Sequence, residues 1–164
     1  MIRALELSDM EPIRKWRNES LDTLRTPFPL TKEQQEEWYK NEICNRLSRS
    51  RFWAVDEELR GKLVGYGGIE NIQWENSIGE ISLLVDPSKR GFGIGQEAAY
   101  LIITEAFNRL NINTVFAECY TSNPAMNFWH NVSMSFNGTE TILPRRKYLN
   151  GVYYDSMIYT MVKP

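Results

Sequence analysis

The feature that most constrains this chain of 164 residues is Val85–Gln96, VDPSKRGFGIGQ, set between a strand-like run and a helix-like run. Glu80–Val85 (EISLLV) reads as a buried strand, and Gln96–Leu110 (QEAAYLIITEAFNRL) as an amphipathic helix. Between them Gly91, Gly93 and Gly95 alternate with Phe92 and Ile94. Glycine lets the backbone turn sharply and approach a ligand closely. A helix N-terminus leaves its first N–H groups unpaired and carries partial positive charge. Together these make a backbone cradle for a phosphate or pyrophosphate.

Three glycine loops compete for the segment. A Walker A loop needs Lys-Ser/Thr after its last glycine, and none follows here. The dinucleotide fingerprint G-x-G-x-x-G starts at Gly91-Phe92-Gly93 but meets Gln96 where its third glycine belongs. Glu118 stands roughly 20 residues on, where a ribose-binding acid is expected. A doubly wound fold would alternate strand and helix throughout and carry this loop after its first strand. The third pattern, R-x-x-G-x-G, is filled by Arg90-Gly91-Phe92-Gly93-Ile94-Gly95.

The rest of the chain supplies the context. Ile2–Leu7 reads as a strand, and Ser8 and Glu11 form a capping box that opens a helix to Asn18, with Ile13 and Trp16 inward. Thr31 and Gln34 form a second box, opening a helix to Asn45 with Trp38 and Ile43 on its apolar side. Arg51–Asp56, Lys62–Ile72 and Ile78–Val85 read as strands, with turns at Glu57–Gly61 and Asn76-Ser77. In the helix after the loop, Ala99, Ile102, Ile103, Ala106 and Leu110 keep helical spacing. Thr114–Tyr120 is a further strand and Ala125–Val132 a short helix, and Met134–Ile142 is extended. Arg146–Leu149 and Val152–Met161 flank Asn150-Gly151, a strong hairpin signal. The glycine loop therefore follows the fourth strand, and meander-like strands argue for a mixed sheet.

The length suits one domain, residues 1–164, with a full core. A net charge of −2 leaves no electrostatic footprint for nucleic acid. Two cysteines, Cys44 and Cys119, are too few for a disulfide framework and suggest a reducing compartment. Apolar runs reach only about six residues, as in Ala98–Ile103, so no membrane span is expected. The charged start MIRALELSDMEP lacks a signal-peptide core, and a cytoplasmic location is the expectation.

This element order, with R-x-x-G-x-G after the fourth strand, resembles the GNAT superfamily of acetyl-CoA-dependent N-acetyltransferases. Ser122–Trp129 followed by Val132-Ser133-Met134 is similar to the family's N-x-x-A-x-x-x-Y-x-x-x-G-F segment. Leu5–Asn18 and Tyr148–Asp155 resemble the first helix and closing hairpin of the branch holding ribosomal-protein N-terminal and amino-sugar acetyltransferases. The resemblance implies a single α/β domain with a mixed, mostly antiparallel sheet of about seven strands and helices on both faces. It implies a V-shaped splay between strands 4 and 5. It also implies acetyl-CoA as co-substrate, with no metal. The pyrophosphate would lie on Arg90–Gln96 (Arg90, Gly91, Phe92, Gly93, Ile94, Gly95, Gln96), and the pantetheine along Leu83, Leu84 and Val85 through main-chain groups. Asn123 matches a cofactor-arm contact, although counting back from Trp129 puts Ser122 in that place. Trp129 replaces the tyrosine that usually supplies the general acid, which leaves Tyr120, another tyrosine or water for that role. An indole N–H cannot deliver a proton.

The chemistry requires a neutral amine, whose ammonium has a pKa of about 10. It also requires a donor for the developing oxyanion, such as a backbone N–H at a strand bulge near Leu83–Val85. Direct transfer in a ternary complex needs no acyl-enzyme, so Cys119 is expected as a buried strand residue. Three carboxylates are candidate bases. Glu118 resembles the base of ribosomal-protein alanine acetyltransferases, Glu80 that of histone-type members, and Glu70 ends the third strand. Alternation places Glu118 with Phe116 and Tyr120, an apolar setting expected to raise its pKa. The lone His130 on a short helix is expected to be solvated. Trp16, Trp38, Tyr39, Trp74, Tyr153 and Tyr154 are candidates to line a pocket or to serve as core. Arg14, Lys15 and Arg17 are candidates for a phosphate contact or a solvated face. The acceptor is a small-molecule amine, an amino sugar first, or a protein N-terminus, and the protein is a monomer or homodimer. A non-catalytic acyl-CoA sensor is the different-class rival, favoured by Trp129.

Overall fold

Period-two alternation from Arg51 to Val85 resolves into three antiparallel strands, and these organise the sheet. The computed structural model describes residues 1–57 and 61–164. Its strands are β1 (Ile2–Ala4), β2 (Arg51–Asp56), β3 (Leu63–Gln73), β4 (Ile78–Val85), β5 (Thr114–Tyr120), β6 (Thr139–Leu149) and β7 (Val152–Val162). The helices are α1 (Met10–Glu19), α2 (Lys32–Trp38), α3 (Ile94–Asn108) and α4 (Met126–Ser135). All seven strands form one sheet in the order β1-β2-β3-β4-β5-β7-β6. Among the described residues only the β4–β5 pair is parallel. The mixed, mostly antiparallel sheet expected from the resemblance is therefore what forms. Part of the Glu57–Gly61 turn lies outside the described residues.

Each face of the sheet carries its own core. On one face α3 and α4 bury Ala99, Ile102, Ile103, Ala106, Trp129 and Val132 against Ile69, Ile81, Val115, Ala117 and Cys119. On the other, α1 packs Ile13 and Trp16 against Ala54, Tyr66 and Leu84, with Trp38 and Ile43 at the margin. These are the inward residues that helical spacing predicts. Odd-numbered residues of β5 thus face α3, while Phe116, Glu118 and Tyr120 face the α1 side.

Several boundaries differ from expectation, each for a local reason. The Ser8–Glu11 capping box does not form. Asp9 instead accepts from the Glu6 amide at 2.8 Å while Arg3 holds its carboxylate in a fork, so a short 3-10 turn precedes α1 at Met10. The Thr31–Gln34 box forms reciprocally, at 3.2 and 2.9 Å. Past Trp38, α2 widens into a π turn over Tyr39–Ile43. Gly93 supplies a left-handed N-cap, so α3 begins at Ile94 rather than Gln96. The extended segment expected from Met134 starts at Thr139, because α4 runs to Ser135. Asn150 and Gly151 both have positive φ, 50° and 84°, as a type I′ hairpin requires.

Two bulges bend the ladders beside the splay. In β3 the register shifts between Glu70 and Gln73, and Asn71 takes φ 53°. In β6 it shifts between Leu143 and Lys147, around Pro144 and Arg145, whose amide bonds Asp155 Oδ1 at 2.9 Å. Such irregularities re-aim side chains. Closer still is the approach of β2 to β3. A Cβ on Gly68 would stand 2.3 Å from the Arg51 carbonyl oxygen and 2.6 Å from the Phe52 ring. Gly68→Ala is therefore expected to lower stability by about 1–3 kcal/mol, read from the urea midpoint at unchanged slope.

Candidate active site

Parallel pairing of β4 with β5 runs only through Ile78↔Thr114, Gly79↔Val115 and Glu80↔Phe116. Beyond Glu80 the two strands part. β4 stays paired with β3 as far as Gly65↔Val85, and β5 stays paired with β7 as far as Tyr120↔Ser156. In an antiparallel ladder alternate residues bond the partner and the others point away. The Asp86 amide bonds the Val64 carbonyl at 2.8 Å, which fixes the phase: Leu83 and Val85 turn their main-chain groups into the gap. A bulge near Leu83–Val85 was the expected source of an oxyanion donor. Register there is continuous, and the free amide arises because β5 diverges. The side chains are core, Leu83 toward α3 and Leu84 toward α1.

At the end of β4 the chain passes through a 3-10 turn, Pro87–Lys89, into the glycine loop. Gly91 and Gly93 have φ of 85° and 82°, and a Cβ on either would meet nothing within 4 Å. Their freedom is needed for backbone conformation and leaves the loop open on its outer side. Among the described residues, the amides of residues 91 to 95 have no hydrogen-bond acceptor. Those of Gln96 and Glu97 bond the Gly93 carbonyl at 3.0 and 3.1 Å. Unpaired amides at the start of a fifteen-residue helix fit the pyrophosphate of a nucleotide-containing cofactor. Phe92 is exposed and Ile94 half-buried. The Arg90 side chain is a strut, donating to Val85 O at 3.2 Å and Ser20 Oγ at 2.8 Å. Gly95 differs from its neighbours in the motif, since a Cβ there would make ordinary contact with Phe128 and Val85.

On the α1 side of the splay the three candidate carboxylates come together. Glu70 and Glu80 are cross-strand partners, and Glu118 faces them from β5. Arg25, from the segment after α1, bridges the gap: Nη2 donates to Glu80 Oε1 at 2.5 Å and to Glu118 Oε2 at 3.3 Å. Asn71 donates to Glu80 Oε2 at 3.2 Å, its aim set by the β3 bulge. Arg146 Nε and Ser156 Oγ donate to Glu118 Oε1 at 3.0 and 2.7 Å. Burial alone would raise the Glu118 pKa, but its bonds from Arg146 and Ser156 and the charge of Arg25 hold it below the usual carboxylate range. The expected upward shift is thus reversed. Glu70 moves the other way: burial and the neighbouring Glu80 charge raise its pKa, against weaker opposition from Ser82, Arg25 and Arg17.

The remaining candidates are also placed. Trp129 is buried in the α3-side core. Asn123 is a turn residue, its Oδ1 accepting from Ala125 N at 2.9 Å and its Nδ2 donating to Thr23 O at 3.3 Å. The Ser122 Oγ is buried without a partner. Tyr120 stands on the α1-side face of β5, with Lys147 Nζ 5.1 Å from its ring centroid. Cys119 faces α3, and burial pushes its thiol up to about 11. His130 pairs with Glu140 at 2.6 Å on the surface. Arg14 bonds Glu11, whereas Arg17 turns to the Tyr66 hydroxyl at 3.3 Å. Among the described residues no metal-ligand cluster occurs, and no helix is long and apolar enough to cross a membrane. Sequence reasoning missed Arg25, Asn71, Arg146, Lys147 and Ser156. The one available signal was Asn71 as a residue tolerant of positive φ inside a strand pattern.

The glycine loop thus follows the fourth strand and opens a helix beside a parallel pair that splays. The acetyltransferase (GNAT) domain profile matches residues 1–127, and the chain belongs to that family. An uncharacterized N-acetyltransferase, YoaA of Bacillus subtilis, is 26% identical over 112 residues, 68% of this chain and 62% of that protein. A variant of the spermidine N-acetyltransferase SpeG from Vibrio cholerae superposes with a TM-score of 0.84 at 19% identity, covering 99% of this chain and 94% of that one. The protein yncA of Salmonella typhimurium, solved with its cofactor acetyl-CoA, superposes with a TM-score of 0.79 at 18% identity, covering 99% and 92%.

Gly93→Val is expected to abolish CoA binding in calorimetry, because a β-branched residue resists the φ of the loop and blocks its open side. Gly95→Ala, with ordinary contacts, is expected to retain it.

Proposed function

We propose that this protein transfers the acetyl group of acetyl-CoA to a primary amine by direct attack in a ternary complex. The observation that carries the reading is the coincidence of three features on one strand. β4 parts from β5 after Glu80, frees the main chain of Leu83 and the amide of Val85, and runs into a loop of unpaired amides. Residues 90–96 would hold the pyrophosphate, and the free edge of β4 would pair with pantetheine as an added strand would. The thioester supplies the acetyl group. The Leu83 amide, directed into the gap, is the donor for the developing oxyanion.

Proton handling is divided among the carboxylates by their surroundings. Glu118 carries three donors and is held ionised, which makes it a poor proton acceptor and a good fixed anion. Glu70 has its proton affinity raised by burial and by Glu80, as a general base operating near neutral pH requires. Glu70, through a water, is the base in this reading, and Glu80 and Glu118 orient the incoming amine. Tyr120 or water returns a proton to the leaving thiolate, whose thiol pKa of about 8.5 makes water sufficient. The acceptor is a small-molecule amine or a protein N-terminus. A cytoplasmic location fits the two unpaired cysteines.

Thiol release from acetyl-CoA across a panel of amines tests the assignment. Tight CoA binding without turnover on any amine would favour the sensor alternative. A base must be deprotonated, so kcat should rise with pH through a value above the usual carboxylate range. Glu70→Gln is expected to lower kcat by about 10²–10⁴-fold and remove that rise while sparing CoA affinity. Unchanged kinetics would return the role to Glu118 or Glu80.

A further inference from the structure

The segment that carries Arg25 is strapped across the splay. Three consecutive carbonyls in it are captured by side chains from the β5–β7 side. Lys147 Nζ donates to Asp22 O and, at 2.8 Å, to Leu24 O. Asn123 Nδ2 donates to Thr23 O at 3.3 Å. Lys147 is itself buried, brought there by the β6 bulge. A buried ammonium that has exchanged water for these carbonyls is costly to release, so the strap is a fixed part of the cleft. Arg25 at its end spans 55 residues to Glu80 and 93 to Glu118, joining the two walls of the splay.

The consequence concerns charge. Glu70, Glu80 and Glu118 alone would make an acidic cleft suited to an acceptor with several ammonium groups. Arg25 pairs with Glu80 and Glu118, Arg146 takes the far side of Glu118, and Arg17 lies against Tyr66 with its Nε buried and unpartnered. Three guanidinium groups therefore face three carboxylates, and both Arg25 and Arg146 stay about half exposed at the mouth. A second ammonium next to the reacting nitrogen would meet these cations rather than free acids. We propose that Arg25 is a specificity residue: its guanidinium, pinned across the splay, turns the acceptor cleft against polyamines and toward amines with a single positive charge. This rests on the transferase reading above. It also separates this chain from SpeG, whose spermidine carries several ammonium groups.

Calorimetric titration of spermidine into the CoA-saturated protein tests it without knowledge of the acceptor. The unaltered protein and Arg25→Lys should bind spermidine weakly. Arg25→Ala and Arg25→Gln should bind it about two- to fivefold more tightly, the scale of one partly solvated charge contact, and the gain should shrink as salt rises. Adding Glu118→Gln to Arg25→Ala should remove the gain. Circular dichroism confirms that each variant folds. If one of the two neutral variants does not fold, the other decides. Equal spermidine affinity with and without the Arg25 charge would overturn the proposal, as would tight binding by the unaltered protein. If CoA itself fails to bind, the transferase reading falls, and the same spermidine comparison on the free protein still decides the charge filter.

Discussion

The parting of β4 from β5 after Glu80↔Phe116 is the constraint on which everything else in the site depends. A strand inside a sheet has no main-chain groups to spare, and here one has them along a single edge. The freed edge is buried in the sheet plane rather than at its rim, so it is protected from other chains while open to a ligand entering lengthwise. The same divergence leaves room above the gap for side chains of β3, β4 and β5, and it brings Glu70, Glu80 and Glu118 into one cleft. One departure from regular pairing thus supplies both a main-chain edge and a carboxylate cluster.

The surrounding structure stabilises that opening instead of closing it. Parallel strands that separate would collapse together or fill with water unless something holds each to its other neighbour. From Glu80 to Val85, β4 keeps a continuous ladder to β3, and β5 keeps one to β7. Across the gap the connections are made by side chains: Arg25 to both acids, and Lys147 and Asn123 to the strap carbonyls. The α3 face beneath is mainly apolar, with Cys119 and Trp129 in its core. The carboxylate cluster and the groups that donate to it lie on the α1 face.

Acid–base roles in such a cleft follow from partners more than from residue type. Glu118 and Glu70 are the same side chain on the two strands that flank β4, yet one is surrounded by cations and a hydroxyl and the other is buried beside a like charge. Alternation along β5 correctly put Glu118 beside Phe116 and Tyr120. It gave no sign of Arg146 or Arg25, which arrive from a bulged strand 28 residues later and a strap 93 residues earlier. An environment inferred from sequence neighbours alone was apolar, whereas the environment in space is ionic.

What the chain disclosed by itself is what local chemistry dictates. Hydrophobic period marked the strands and helices, Asn150-Gly151 marked the hairpin, and the glycines of residues 91 to 95 marked the loop, because backbone conformation and side-chain burial depend on near neighbours. The fold and the place of the loop within it were legible for that reason. Tertiary structure alone decided where β4 and β5 part, which bulges aim Asn71 and Lys147, and which cation meets which acid. Those outcomes depend on contacts between segments far apart in the chain, whose electrostatic energies are set by burial and separation, quantities that no local pattern encodes.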